Sequence, residues 1–391
     1  MNARSVRYPL WLVGTVVAVL LAPEALLGGA GGQAPTPAPG TPAAAHFPGA
    51  DWERIEKPES IGYSSPRLEA VRAWVRSLDT TSMTVAVGGR VVFAYGDQAH
   101  LSYLASVRKS VLAMLYGRYV ENGTITLTAT LKDLEFTDVG GLMPRELEAT
   151  VEDLITARSG VYHPASNAGD DTASAPPRGS QRRGTYFLYN NWDFNAAGGA
   201  FEKLTGRDIY DALEADIARP IGMQDFRRSA QRKSGDAKVS QFLAYHMYLS
   251  VRDMARIGLL MQREGTWAGR QVVPRTWARR IASLVTPLNE MNPPRHRALG
   301  SGERWGYGCL WWVWDAPNSP GPFEGAYTGM GAGGQYITVL PALDMVVAHK
   351  TDTGQASPHG PSGRNRSVTS PEYHATLKML IAARCPGGKC G

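Results

Sequence analysis

The sequence predicts an α+β protein: one antiparallel β-sheet flanked by N- and C-terminal helices, with an all-helical domain inserted in the middle. Three observations carry this. Strand-like runs of β-branched and aromatic residues occupy 84–95 and return between 308 and 351, the stretch from about 131 to 242 reads as helical segments separated by loops, and a last helical run, Pro371 to Ala383, closes the chain. Strands grouped at both ends do not fit a doubly wound parallel sheet, in which strands and helices alternate.

In chain order, Arg4 and Arg7 precede a charge-free apolar stretch, Pro9 to Pro23, and then small residues at Gly28, Gly29 and Ala30. This is the layout of a secretory signal peptide over 1–30, with an apolar core too short for a comfortable membrane span. The expectation is a secreted or periplasmic protein with no stable membrane anchor once the leader is cleaved. Residues 31–46 (GGQAPTPAPGTPAAAH) have almost nothing to bury and read as a flexible linker, so the folded domain spans 47–391. Thr84 to Val87 and Val91 to Tyr95 flank Gly88-Gly89 as a hairpin. A helix opens at Ser106, carries Val111, Leu112, Leu115, Tyr119 and Val120, and stops at Asn122-Gly123. It is apolar around its girth and should be buried. Helices are expected at Thr150 to Arg158, Trp192 to Leu204 and Arg207 to Ile217, forming a helical subdomain over about 131–242. Further helices are expected at Ser250 to Gln262 and Pro274 to Leu284, followed by strands at Gly308 to Trp314, Gly334 to Leu340 and Met345 to Thr351. The Gly/Ser/Pro/Arg-rich stretch 160–184 is too long for an ordinary connection, and is either an active-site rim or disordered.

Composition narrows the function. At 391 residues and 43% hydrophobic the chain can bury a large core. Its net charge of +6 comes from scattered arginines without an aromatic-interleaved basic stripe, which argues against nucleic acid as a partner. Of three cysteines, Cys385 and Cys390 could close a small loop in an oxidising compartment, and Cys309 sits in an apolar run as a buried residue. No Cys/His spacing marks a metal site, HExxH is absent, and no cofactor is expected.

Chemistry enters with Ser106-Val107-Arg108-Lys109, the only serine in the chain followed three residues later by lysine. Positions i and i+3 share a helix face, and a lysine whose charge is disfavoured can take a proton from serine. A second singular motif is Tyr189-Asn190-Asn191, at a turn running into a helix. A phenol beside an amine that shares its proton should have its pKa drawn down from about 10 and serve as general base. The amide of Asn191 can hold the lysine or a carbonyl. The third element is TGMGAGGQYI, 328–337. Its Gly329, Gly331 and Gly334 satisfy GxGxxG, but a strand follows where dinucleotide binding needs a helix. Such glycines leave N–H groups for an oxyanion hole.

In this order and spacing the three elements resemble those of the serine β-lactamase and penicillin-binding-protein superfamily, and within it the class C β-lactamase-related esterases, D-aminopeptidases and aminohexanoate-oligomer amidases. The resemblance covers about residues 50–384 and extends to SVRDMARIGLLMQREGTWAGRQVVPRTW (250–277) and WGYGCLWWV (305–313). It implies a β-lactamase/transpeptidase-like fold, Ser106 as acylated nucleophile, Lys109 as its proton partner, Tyr189 as base or shuttle and Asn191 as an orienting group. It also implies an oxyanion hole from the backbone N–H groups of Ser106 and Gln335. The sequence departs where that superfamily usually has Lys-Thr-Gly, since the aligned residues are Ala332-Gly333-Gly334. Losing a charge-assisted contact to a substrate carboxylate removes on the order of 1.5–3 kcal/mol. Lys350-Thr351 falls at a strand end and reads as coincidence.

The reading that follows is a secreted serine hydrolase acting on a small-molecule amide or ester, with Tyr162, Asp170, Asp171, Gly333 and Gly334 as substrate-binding candidates. Two alternatives stand beside it: a β-lactamase or D,D-peptidase in which an arginine of the 178–183 cluster replaces the lysine, and a non-catalytic binding domain. A Ser-His-Asp hydrolase is disfavoured because no GxSxG elbow exists, and His163 and His349 read as hydrogen-bonded structural residues. The sequence leaves the oligomeric state open.

Overall fold

The computed structural model describes residues 45–297, 302–315, 321–355, 366–388 and 390. The leader expected over 1–30 and most of the linker over 31–46 lie outside the described residues.

The expected hairpin is present. Strand β1 (Ser82–Val87) pairs with β2 (Arg90–Gly96) across Gly88 and Gly89, whose φ angles of 59° and 81° demand glycine-like freedom. The other edge of β1 pairs with a strand from the far end of the chain, residues 345–350, in a register that sets Val85 opposite Val347. Between these lie β3 (Trp305–Tyr307), β4 (Trp312–Trp314), β5 (Tyr327–Gly331) and β6 (Gln335–Leu340), and Met345–Lys350 is β7. The result is a seven-stranded sheet, ordered β2-β1-β7-β6-β5-β4-β3, with every pairing antiparallel.

Two expectations change. The single strand read over 308–314 is the turn and second arm of a hairpin, bent at Gly308–Trp311 with Leu310 at φ 61°. Burial hides the turn, because Cys309, Leu310 and Trp311 are as deeply buried as strand residues. The second change is β5, a strand over Tyr327–Gly331 that precedes the one expected from Gly334.

Period-two alternation splits the sheet between two cores. On β6, Tyr336 and Leu340 join one cluster while Ile337 and Val339 join the other. Helices α1 (Ser65–Ser77) and α8 (Ser370–Ala382) cover the first face and are tied by Trp74 Nε1 donating to Thr376 Oγ1 at 3.0 Å. The second face carries α2 (Val107–Glu121) and, later in the chain, α6 (Val251–Gln262). A Cβ added at Gly258 of α6 would lie 2.3 Å from a Val346 methyl carbon, so only glycine allows this helix to lie so close to β7.

Between α2 and α6 the insert supplies α3 (Val151–Ile155), started by a Thr150/Asp153 capping box, and α4 (Asn191–Thr205). It also supplies α5 (Ile209–Leu213), continued by a π turn over Glu214–Ala218. Arg232–Ser234 breaks its all-helical character, pairing with Ala244–His246 as a small ribbon outside the main sheet. Buried α4 lies against α2, where the Tyr116 hydroxyl donates to Ala197 O at 2.6 Å. Helix α7 (Arg275–Ile281) follows α6 and hydrogen-bonds to α2 through Trp277 Nε1 and Ala113 O. Cys385 and Cys390 are joined, and Cys309 is buried. Among the described residues no helix is long and apolar enough to cross a membrane.

Candidate active site

Ser106 occupies the N-cap of α2, where backbone N–H groups lack helical partners. The turn into it is sharp: Ala105 sits at φ 47°, a left-handed conformation that costs a non-glycine residue about 1–2 kcal/mol. Leu104 N donates to Met247 O at 2.9 Å, which fixes the incoming segment. One turn along, Lys109 is almost fully buried, with Nζ 3.1 Å from Ser106 Oγ, 2.7 Å from Tyr189 Oη and 2.8 Å from Asn191 Oδ1. Asn191 is oriented in turn, since its Nδ2 donates to Ala168 O at 3.0 Å and its backbone N–H to Asp170 Oδ2 at 2.7 Å. The Tyr189 and Phe194 rings close over the amine, with centres 4.1 and 4.2 Å from Nζ. All four residues expected at the catalytic centre thus meet at one nitrogen.

Electrostatics assigns their protons. Burial, with the neighbouring Arg108 cation second, pushes the Lys109 pKa well below its usual value, against the opposing pull of Asp170 and Asp171. Arg108 itself stacks on Tyr245 at 4.3 Å and donates to Asn195 Oδ1 at 3.0 Å. For Tyr189 the expectation is reversed. Burial raises its pKa by more than the hydrogen bond with Ser106 and the Arg108 charge lower it, so it stays a neutral phenol. Burial thus favours the uncharged form of the Lys109 amine and the neutral hydroxyl of Tyr189.

Ser106 and Tyr189 open onto a cavity of about 290 Å³ also lined by Gly169, Asp170, Asp171, His296, Trp312, Met330, Gly331 and Ala332. Stretch 160–184 is therefore a rim, and it brings Asp170 and Asp171 to the site as expected. Tyr162 is not among the lining residues; it is buried beside Tyr186. Nor are Gly333, Gly334 and Gln335. Gln335 is the first residue of β6, where it sits opposite Gly331 of β5, and its side-chain Nε2 donates to Thr351 O.

Their place is taken by β5. Trp314 N donates to Ala326 O at 2.8 Å, so by alternation the backbone groups of Thr328 and Met330 point toward the β4 edge. Pairing with β4 ends where Trp312 faces Thr328, which leaves the Met330 N–H directed into the cavity beside Ser106. Ser106 and Met330 therefore face the same cavity. The signal was present in the sequence. Gly329 and Gly331, two apart, lie on one strand face, and added Cβ atoms there would come within 2.9 Å of Ser110 Oγ and 2.5 Å of Leu104 O. His296 and Trp312 carried no such signal.

Among the described residues no lysine or arginine lines the cavity. Arg178 pairs with Glu146 and Arg183 with Asp153, so the 178–183 cluster supplies no replacement cation through either. Lys350 is buried, donating to Ser102 O and Leu249 O, and His163 and His349 are likewise buried and hydrogen-bonded. Among the described residues no cluster of His, Cys, Asp or Glu is arranged to hold a metal ion.

Comparison with known proteins places this geometry. No curated protein sequence matches the chain. Among solved structures it is similar to a proposed 6-aminohexanoate-dimer hydrolase from Bacillus anthracis, at 18% identity and a TM-score of 0.59 over 85% of this chain and 86% of that one. It is also similar to a penicillin-binding-protein homologue from Caulobacter crescentus, at 16% identity and a TM-score of 0.56 over 82% and 99%. A third is EstCE1, a hydrolase with promiscuous acyltransferase activity, at 14% identity and a TM-score of 0.56 over 81% and 98%. At these identities the likeness concerns the fold, which is the β-lactamase/transpeptidase-like one. A family model described as beta-lactamase matches residues 71–362, a span that holds Ser106, Lys109, Tyr189, Asn191 and β5, and the chain belongs to that family of serine hydrolases.

Proposed function

We propose that this family member cleaves a small amide or ester through an acyl-enzyme on Ser106. The observation that carries the reading is the convergence of Ser106, Tyr189 and Asn191 on the single buried nitrogen of Lys109. Ser106 Oγ attacks the substrate carbonyl as Lys109, with Tyr189, takes its proton. The N–H groups of Ser106 and Met330 receive the oxyanion, and the proton passes to the leaving amine or alcohol. Water then releases the acid.

The cavity favours a substrate without a carboxylate at this position, because among the described residues its lining holds the carboxylates Asp170 and Asp171 and no lysine or arginine. An amine or hydroxyl toward Asp170, against the indole of Trp312, suits the lining better. The same feature weighs against the β-lactamase or D,D-peptidase reading, and the intact quartet weighs against a non-catalytic one. The leader-like first thirty residues support a secreted or periplasmic location.

A panel of p-nitrophenyl esters, D-amino acid amides and nitrocefin tests this. Ester or amide turnover that disappears in Ser106→Ala, with nitrocefin left intact, is the expected result. Turnover that survives the substitution would remove Ser106 as nucleophile, and rapid nitrocefin hydrolysis would restore the β-lactamase reading.

A further inference from the structure

The same cavity is lined by a second proton-handling pair, His296 and Asp171. His296 Nε2 lies 2.7 Å from Asp171 Oδ2, and the Asp171 side chain is only 8% exposed. Asp171 is anchored to the site itself, because its backbone N–H donates to Tyr189 O at 2.9 Å. Arg295 holds the other carboxylate oxygen. The His296 ring packs against Trp312, with centres 5.9 Å apart, and Trp312 packs against Tyr189 at 5.5 Å. Imidazole and nucleophile therefore line one cavity.

A carboxylate can only accept, so the neutral imidazole carries its proton on Nε2 and keeps Nδ1 as its basic nitrogen. This is the arrangement by which an acid residue orients a histidine for proton abstraction. We propose that His296, held by Asp171, is the general base that activates water in the deacylation half of the reaction. The inference rests on the acyl-enzyme reading above and assigns that reading a second base. A water O–H bond breaks, its proton goes to His296 Nδ1, and the oxygen forms a bond to the acyl carbonyl carbon. The intermediate collapses with cleavage of the bond to Ser106 Oγ. The departing oxygen takes a proton from the Tyr189 hydroxyl, which is restored by the proton His296 gives up through solvent. One water is consumed, and serine and a carboxylic acid are regenerated. The charged and titratable groups around the imidazole are Asp171, Arg295, Asp170 and Tyr189.

His296→Gln tests this, because the glutamine amide can still donate to Asp171 but offers no basic nitrogen. With p-nitrophenyl acetate, rapid-quench mass spectrometry should find Ser106 acylated at the wild-type rate within about twofold. Steady-state turnover should fall roughly 10²-fold or more, the usual contribution of a general base. Hydroxylamine, a nucleophile needing less base assistance, should restore turnover in the variant far more than in wild type. Wild-type deacylation in His296→Gln, or acylation slowed as much as deacylation, overturns the assignment while leaving the Ser106 reading standing. Absence of acyl-Ser106 in both proteins overturns both.

Discussion

Lys109 and Tyr189 meet twice: the amine nitrogen lies 2.7 Å from the phenol oxygen and 4.1 Å from the centre of the same ring. The ring removes water from the amine and the hydroxyl gives it a partner, so the environment that hides the lysine also makes it a usable base.

The pH dependence of kcat/KM follows from that burial. The folded-state pKa of Lys109 is depressed, so the amine is neutral above the lowered value and protonated below it. Activity should rise with pH through that value and be lost on its acid side. Lys109→Arg, charged throughout, should be inactive across the whole range. The fold binds fewer protons here than the unfolded chain does, so burying Lys109 costs stability until pH climbs toward its ordinary pKa. Lys109→Met should therefore melt at or above the wild-type temperature at pH 7 while losing about 10²–10⁴-fold in activity.

Tyr189→Phe separates relay from base. Because burial raises the tyrosine pKa, its hydroxyl does not ionise on the acid limb of the profile. The variant should lose activity by about two orders of magnitude or more yet keep the same acid limb, since that limb belongs to Lys109. An acid limb displaced in parallel with the loss would show the phenol to be the titrating base.

Gly331→Ala probes the contact between β5 and the entry to α2. Its Cβ would lie 2.5 Å from Leu104 O and 3.2 Å from Ala105 Cβ, and the first of these is backbone that must move. Overpacking of this kind costs about 1–3 kcal/mol, measurable by urea denaturation. Because the displaced backbone leads directly into Ser106, the acylation rate should fall further than the stability loss alone explains.

His349 offers a stability test away from the cavity. Gly334 O can only accept, so His349 donates from Nδ1 at 2.8 Å and receives Thr80 Oγ1 on Nε2 at 2.9 Å. Burial lowers its pKa from 6.5 to about 4. The unfolded chain takes up this proton first as pH falls, so stability is present above 6.5 and is lost between there and 4. The 2.5-unit gap corresponds to on the order of 3 kcal/mol. Denaturation midpoints measured from pH 7 to 4 should fall, and His349→Gln should flatten the slope.

Periodicity made the outer frame legible. The hairpin at Gly88-Gly89 and the buried girth of α2 are local signals and formed as expected, whereas the helix expected over Thr150 to Arg158 ends at Ile155. Ser106, Lys109, Tyr189 and Asn191 were legible because their chemistry is unusual in combination. Strand β5 is hidden in the sequence because Gly329, Met330 and Gly331 lack the β-branched bulk that announces a strand. Their strand character comes from fitting under Leu104 and Ser110, more than two hundred residues earlier in the chain. His296 was missed for the same reason, since its partner Asp171 is 125 positions away. Tyr189 was given the wrong proton affinity because sequence names neighbours but not the depth at which they sit.

The pairing of β1 with β7, which sets Val85 against Val347, has a consequence for the order of events in synthesis. A chain made from its N-terminus presents Ser106 and Lys109 early, but the middle of its sheet stays open until residue 350 has emerged. Lys350 then caps the assembly by reaching Ser102 O at 2.7 Å, four residues before the nucleophile. Chains truncated before residue 345 lack both β7 and that clasp, so the sheet that sets β5 beside Ser106 closes only when the polypeptide is nearly finished.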